Sequence, residues 1–353
     1  LKKETKLSVI GGLADDLYYL LGSYTSLRKK GEGKTLIEAI RGQFDSVVYS
    51  KGWDFENSEE YFEEAVNNSK DADAVIFVMG GSSAGAITKT EFDQNTGAQI
   101  SAQGFIDCGE GIDVADIGLA GNQQKLLKII KELGKPVISV MIQGRPYIIT
   151  DVEKMSDAVL IAWYPGQQGG DAISDIISGA VNPSGKLSVS IPYSSHTLPA
   201  YYNRVWSPEE AFDDCCTNSY KDYPQRVLHP FGFGLSYSKF SYSNLRVENT
   251  GKNEFLVYAD VTNISEVGGY ETVQLYINGY DNSIRRRGKE LKGFEKVYVN
   301  PNETKTVKFR LGYDELKIYS ARGKYEVEEA PVNIMIGSNP NLPLKTVIHT
   351  APQ

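Results

Sequence analysis

Apolar residues in the first half of the chain follow two alternating patterns. Short continuous apolar runs are typical of strands buried on both faces, and apolar residues spaced three or four apart are typical of amphipathic helices. The runs predict strands at Leu7–Gly11, Ser46–Tyr49, Asp73–Gly81, Pro136–Ile142 and Asp157–Tyr164. The helical spacing predicts helices at Thr35–Phe44, Ser58–Ala72 with Ser58 as N-cap, Asn122–Leu133 and Gly169–Val181. Buried strands alternating with amphipathic helices predict a three-layer α/β sandwich around a mostly parallel sheet.

The last third of the chain has a different pattern. Apolar residues recur with period two in Phe255–Val261 and in Val307–Leu311, and Asn, Gly and Pro mark the turns between such stretches. This alternation is typical of strands with one face buried, and about a hundred residues of them predict an all-β sandwich. We therefore expect an α/β domain over 1–193, a linker over 194–239 and a β-domain over 240–353.

Composition excludes several classes of protein. The 353 residues contain 37 Lys and Arg against 45 Asp and Glu, a net charge of −8, so we expect no nucleic-acid partner. The longest apolar runs, such as Ala158–Tyr164, are far shorter than the roughly 20 residues that span a bilayer, so we expect no membrane partner. Three cysteines and three scattered histidines suggest neither a disulfide framework nor a metal site, and we expect no cofactor. The odd cysteine count favours a reducing, cytoplasmic location over a secreted one.

The long segment Ser82–Ala120 is the strongest candidate for carrying chemistry. It follows a predicted buried strand, and ligands of open α/β sheets bind beyond the carboxyl ends of the strands. Glu110 lies between Gly109 and Gly111, where the backbone can present a carboxylate closely to a ligand. A solvated carboxylate on a surface turn is the alternative interpretation. Glu91 and Asp93 are weaker candidates in the same segment.

Six stretches resemble the C-terminal part of glycoside hydrolase family 3, and they occur in the family's order across nearly the whole chain. They are Leu7–Gly11, Gly109–Asp113 with Leu119–Gln124, Tyr164–Gly170, Asn182–Leu187, Pro230–Tyr237 and Lys289–Phe294. The resemblance implies an α/β sandwich followed by a fibronectin type III-like sandwich. It also implies a retaining β-glycosidase whose nucleophile is an aspartate of an N-terminal barrel and whose acid/base is a glutamate of the sandwich loop.

By its position in the motif, Glu110 is the residue that the resemblance implies as acid/base. A general acid must carry a proton at the working pH and then return as a base. Two positions depart from the family pattern: Val114 follows Asp113 where the family usually has Arg, and Cys108 lies where small or polar residues are common. The first departure removes a charge partner for Asp113 and leaves the anchoring of the loop unexplained.

The 353 residues contain no repeated βα units of a barrel that would carry the nucleophile, so we expect the chain to be the second half of an enzyme, inactive until joined to its barrel. The expected partners are therefore that barrel and an oligosaccharide or β-glucoside substrate. A non-catalytic carbohydrate-binding or scaffold module of the same fold is the alternative. Tyr164–Gly170 lacks the Gly-Lys-Ser/Thr ending of a phosphate loop, which disfavours nucleotide binding.

Three other features have structural interpretations. Arg285–Arg287 predicts a solvated or interdomain surface. The aromatic residues Tyr201, Tyr202 and Trp206 favour packing between domains over a sugar site. Cys215 and Cys216 are expected to remain without a vicinal disulfide.

Overall fold

The computed structural model describes residues 1–22, 25, 31–83, 105–203, 222, 227–279, 282–338 and 342–352. The chain divides into two compact units. The first consists of Leu1–Val181 with Pro192–His196, and the second consists of Asn182–Ile191 with Thr197–Gln353.

The first unit contains a five-stranded sheet with helices between its strands. The strands are β1 Lys6–Ile10, β2 Ser46–Ser50, β3 Ala74–Gly80, β4 Val137–Ile142 and β5 Ala158–Trp163. The helices are α1 Tyr18–Leu21, α2 Leu36–Gln43, α3 Phe62–Lys70, α4 Gln123–Glu132, α5 Thr150–Met155 and α6 Gly169–Ser178. Among the described residues, no helix combines the length and the apolar character that a membrane span requires.

All neighbouring strands of this sheet are parallel, and their order is β2-β1-β3-β4-β5. β2 lies on one side of β1, and β3, β4 and β5 follow on the other side, so the direction of winding reverses between β1 and β3. Right-handed connections then place the helices on both faces, with α2 against α6 and with α4 between α3 and α5. The expected three-layer α/β sandwich is confirmed.

Two local differences from the predicted elements have clear causes. Helix α3 begins at Phe62, so the N-cap assigned to Ser58 is wrong. Asp54 Oδ1 accepts the backbone N–H groups of Glu56 and Ser58, at 3.1 and 3.0 Å, and this holds the preceding residues in a turn. Helix α5 was not predicted, because its six residues are too few to show a helical period.

The second unit is built from antiparallel strands. Two short strands that pair with each other come first, β6 Ile191–Pro192, at the boundary of the two units in the sequence, and β7 Val227–His229. The antiparallel strands are β8 Phe240–Gly251, β9 Glu254–Asn263, β10 Gly269–Gly279, β11 Glu290–Val299, β12 Thr304–Leu311, β13 Ile318–Tyr319, β14 Tyr325–Glu326, β15 Pro331–Gly337 and β16 Leu344–His349. A short helix, α7, covers Tyr313–Leu316. One sheet has the order β11-β10-β15-β16, and a second has the order β12-β9-β8.

The two sheets enclose one apolar core, as the alternating pattern predicts. Phe255, Val257, Ala259 and Val261 all point inward from β9, where every second residue is buried. Inward residues of β10, β12 and β15 complete the same core. The expected β-sandwich is therefore confirmed.

The sequence-based predictions for the arginine run and for the aromatic residues concern the second unit. Arg286 is buried, so the prediction of a solvated surface is wrong for that residue: its guanidinium pairs with Glu290 Oε1 at 3.2 Å. Tyr202 stacks on Phe231 at 4.2 Å between ring centroids and packs against Tyr276. Tyr201 is exposed, while Trp206, Cys215 and Cys216 lie outside the described residues.

A buried ion pair connects the Asn182–Leu187 motif to β10 within the second unit. Lys186 Nζ lies 3.5 Å from Glu271 Oε2 and donates to the carbonyl of Gly234 at 2.8 Å. Glu271 also accepts the Tyr242 hydroxyl at 2.7 Å, and its side chain is only 3% exposed. Both charges are compensated as long as each partner remains in place.

We predict that Lys186→Met destabilises the chain by about 3–5 kcal/mol, because the Glu271 carboxylate stays buried without its cation. Denaturant unfolding, followed by fluorescence, measures this loss. Lys305→Met is the control: Lys305 pairs with Glu303 at the surface, where water screens both charges, so its loss is expected to change stability little. Equal losses for the two variants would contradict the prediction.

Candidate active site

The candidate site lies at the carboxyl edge of the parallel sheet, where the direction of winding reverses. Ligands of open α/β folds bind at this point, between the carboxyl ends of the two central strands. Here those strands are β1 and β3, and the long segment Ser82–Ala120 leaves directly after β3. Gly81 N–H donates to the Ile142 carbonyl at 3.0 Å, so the end of β3 is held against the end of β4.

Backbone hydrogen bonds join the start of this segment, at Ser82, to residues further along it. The carbonyl of Ser82 accepts the N–H groups of Asp107 and Cys108, at 3.0 and 3.3 Å. Ser82 N–H in turn donates to Asp107 Oδ1 at 2.9 Å. Residues 105–120 therefore leave from a fixed point at the end of β3.

Asp107 is a buried carboxylate, 6% exposed, that no sequence pattern singled out. Its second oxygen, Oδ2, accepts the Tyr147 hydroxyl at 2.6 Å. Burial, together with the hydrogen bond to Asp107, raises the pKa of Tyr147 far above its usual value, so the hydroxyl remains a donor. Tyr147 therefore supplies a neutral donor that satisfies a buried charge.

Cys108, two residues before Glu110 in the same loop, is buried. Its Sγ lies 2.7 Å from the Tyr164 hydroxyl, and burial with this contact raises the pKa of Tyr164 above its usual value. A Cβ atom on Gly144 would lie 2.6 Å from the Tyr164 ring and 2.9 Å from Cys108 Sγ. Only glycine leaves room for the two side chains to meet at this position.

Glu110 occupies the corner of a tight turn and is exposed. Ile112 N–H donates to the Gly109 carbonyl at 3.3 Å, which closes the turn around Glu110 and Gly111. Gly111 has φ of 68°, a conformation that glycine adopts without strain. The glycine spacing thus has a conformational cause, and the turn leaves the Glu110 side chain exposed.

The residues after Glu110 are anchored by the segment that follows β4. Arg145 Nη2 donates to the Ile112 carbonyl at 2.8 Å, and Ile148 N–H donates to the Ile117 carbonyl at 3.0 Å. These bonds supply an anchor for the loop although Val114 stands where the family usually has Arg.

Gln123 fixes the far end of the long segment to β3. Its Oε1 accepts Gly80 N–H at 2.8 Å, and its Nε2 donates to the carbonyls of Gly80 and Ala120 at 2.9 and 2.7 Å. The side chain is fully buried. This glutamine belongs to the Leu119–Gln124 motif, and its role is to close the loop onto the sheet edge.

The structure therefore brings Glu110, Cys108 and Asp113 onto one anchored loop, while Glu91 and Asp93 lie outside the described residues. Sequence reasoning missed Tyr147 and Arg145. Their only signal was a Gly-Arg-Pro-Tyr stretch directly after a buried strand, at the edge where ligands bind. Among the described residues, no cluster of three or more His, Cys, Asp or Glu is arranged to hold a metal ion.

Comparison with known families identifies both units. Residues 1–237 match the Glycosyl hydrolase family 3 C-terminal domain, and residues 271–339 match the Fibronectin type III-like domain. A beta-xylosidase of Formosa agariphila is 36% identical over 98% of this chain and 46% of its own length. A periplasmic beta-glucosidase of Salmonella typhimurium is 30% identical over 96% of this chain and 45% of its own length.

A solved structure has the same arrangement of elements. The beta-glucosidase from Listeria innocua, crystallised with isofagomine, aligns with a TM-score of 0.85 and 30% identity over 99% of this chain. The alignment covers 46% of the Listeria chain. The present chain thus spans less than half the length of these relatives.

We predict that Gln123→Leu lowers the free energy of unfolding by about 1–3 kcal/mol, because the buried Gly80 backbone groups lose their side-chain partner. Thermal unfolding monitored by circular dichroism measures the change. The adjacent Gln124 is half-buried on the same helix, so Gln124→Leu is a matched control with an expected change near zero. A Gln124 variant as unstable as the Gln123 variant would contradict the assigned role.

Proposed function

Because this chain belongs to glycoside hydrolase family 3, we propose that it is the C-terminal part of a retaining β-glycosidase in which Glu110 is the general acid/base. The observation that carries this proposal is the exposed carboxylate of Glu110 on the turn Gly109–Ile112, in a loop anchored to the end of β3. The relatives' names, beta-xylosidase and beta-glucosidase, support the reaction class.

Retaining hydrolysis divides its work between two carboxyl groups about 5–5.5 Å apart. One carboxylate attacks the anomeric carbon, and the glycosidic C–O bond breaks as the other group protonates the leaving oxygen. That second group then removes a proton from water, which attacks the glycosyl-enzyme and releases the sugar. We assign the second role to Glu110 and expect the nucleophile from an N-terminal barrel, as the resemblance implies.

The proposed substrate is a terminal, non-reducing β-D-glucosyl residue or a related sugar. Two relatives are named for glucosides and one for xylosides, so the choice between these sugars rests on analogy with the relatives. An oligosaccharide or an aryl β-glucoside is the substrate class to test first.

The test joins this chain to the part of the Listeria innocua beta-glucosidase that precedes the matched region. We expect the fusion, and not the chain alone, to hydrolyse phenyl β-glucoside. Glu110→Ala is expected to lower that rate by about 10²–10⁴-fold, because proton transfer to the leaving group is lost. Azide is expected to restore turnover of dinitrophenyl β-glucoside, whose departure needs no proton, and to give a β-glycosyl azide.

Glu132→Ala is the control, since Glu132 is an exposed glutamate at the end of α4. It is expected to leave both rates unchanged. If the fusion is active and Glu110→Ala hydrolyses phenyl β-glucoside at the unaltered rate, the assignment of Glu110 is wrong. A folded fusion that binds glucosides without hydrolysing them would favour the non-catalytic module.

A further inference from the structure

One short segment holds the loop on both sides of Glu110. Gln143–Tyr147 follows β4 at the carboxyl edge of the sheet, about 35 residues after Glu110 in the sequence. Its side chains and its one glycine contact the loop both before and after the catalytic candidate.

The contacts before Glu110 involve two tyrosines. Tyr147, the last residue of the segment, donates its hydroxyl to Asp107 at 2.6 Å. Gly144 leaves the space in which Tyr164 reaches Cys108 at 2.7 Å. Asp107 and Cys108 are thereby fixed directly ahead of the turn that carries Glu110.

The contact after Glu110 is a single hydrogen bond from a cation. Arg145 Nη2 donates to the carbonyl of Ile112 at 2.8 Å, and Ile112 is the residue whose N–H closes the turn. Only Gly109, Glu110 and Gly111 lie between the two anchored sides. The backbone of the turn therefore has little freedom to move.

Three features around Gln143–Tyr147 are energetically unfavourable or irregular: an unsatisfied buried amide, a strained backbone dihedral angle and a shift of strand register. The Gln143 amide is fully buried, and among the described residues neither its Nε2 nor its Oε1 has a hydrogen-bond partner. Trp163, whose carbonyl accepts Gln143 N–H at 3.2 Å, has φ of 55°, which is strained for a bulky side chain. The register of β4 against β5 also shifts between Met141 and Ile142. Strain of this kind persists where the surrounding structure enforces it, and it clusters at functional sites.

We propose that Arg145 and Tyr147 are positioning residues that hold Glu110 at the distance its proton transfer requires. The part of this proposal that concerns proton transfer rests on the proposed function. A general acid must lie within hydrogen-bond reach of the oxygen it protonates, and a displacement of 1 Å can cost about 10²-fold in rate. Neither residue acts on substrate: Arg145 acts through the Ile112 carbonyl, and Tyr147 acts through the Asp107 carboxylate.

The first arm of the test uses this chain alone and measures backbone hydrogen exchange at 109–113. Tyr147→Phe and Arg145→Met are expected to speed exchange there by about tenfold, the factor that follows from losing one hydrogen bond of ordinary strength. Tyr242→Phe is the matched control, because it also removes a tyrosine hydroxyl that donates to a buried carboxylate, that of Glu271 in the second unit. It is expected to leave exchange at 109–113 unchanged.

The second arm uses the fusion and compares two leaving groups. Tyr147→Phe and Arg145→Met are expected to slow hydrolysis of phenyl β-glucoside by up to about 10²-fold, with little effect on dinitrophenyl β-glucoside. Loss of structure alone would lower both rates equally. Arg145→Lys keeps the charge and one donor, so it is expected to recover most of the phenyl β-glucoside rate.

The two arms separate the failure of the proposal from the failure of the proposed function. Unchanged exchange at 109–113, or equal acceleration in Tyr242→Phe, overturns the positioning role. The positioning role is also wrong if Tyr147→Phe and Arg145→Met slow the hydrolysis of both glucosides equally. It is wrong as well if neither variant slows hydrolysis of phenyl β-glucoside while Glu110→Gln is inactive on it. If Glu110→Gln is fully active, the proposed function is wrong, and Arg145 and Tyr147 then have no acid/base to position. The hydrogen-exchange result alone then decides whether Gln143–Tyr147 holds the turn.

Discussion

The closure of the long segment at Ser82 is the constraint on which the candidate site depends. One carbonyl accepts two N–H groups, from Asp107 and Cys108, at the point where β3 ends. This closure returns the chain to the sheet edge before the turn with Glu110 begins. Without it, the carboxylate would lie at the end of a long loop, whose position the sheet could not determine.

The closure has an electrostatic cost, because it buries Asp107. Among the described residues, the hydrogen bonds to its carboxylate come from neutral donors, Ser82 N–H and the Tyr147 hydroxyl. Neutral donors can satisfy a buried charge without adding a second charge beside the site. The turn that carries Glu110 is thus supported by a hydrogen-bonded network, while the Glu110 side chain itself is exposed.

Sequence predicted the fold because strands and helices depend on local patterns, whereas Glu110 was singled out by the family resemblance and its role stays a prediction. Strand and helix periods fixed the two architectures, and the glycines around Glu110 reflect a backbone conformation that this turn requires. Tyr147 and Arg145 were missed because their roles arise from contacts about 35 residues distant along the chain. Arg286 was misjudged as solvated, although Glu290 four residues later was a visible partner. Ser58 failed as an N-cap because Asp54 engages it in a turn.

The two units alternate along the sequence between residues 181 and 197. Asn182–Ile191 belongs to the second unit, Pro192–His196 returns to the first, and Thr197 begins the second again. A protease that cuts the backbone once in this stretch therefore cannot release both units complete. Cleavage at any single bond there leaves at least one unit separated from a strand or a segment of its own, such as the part that carries Lys186.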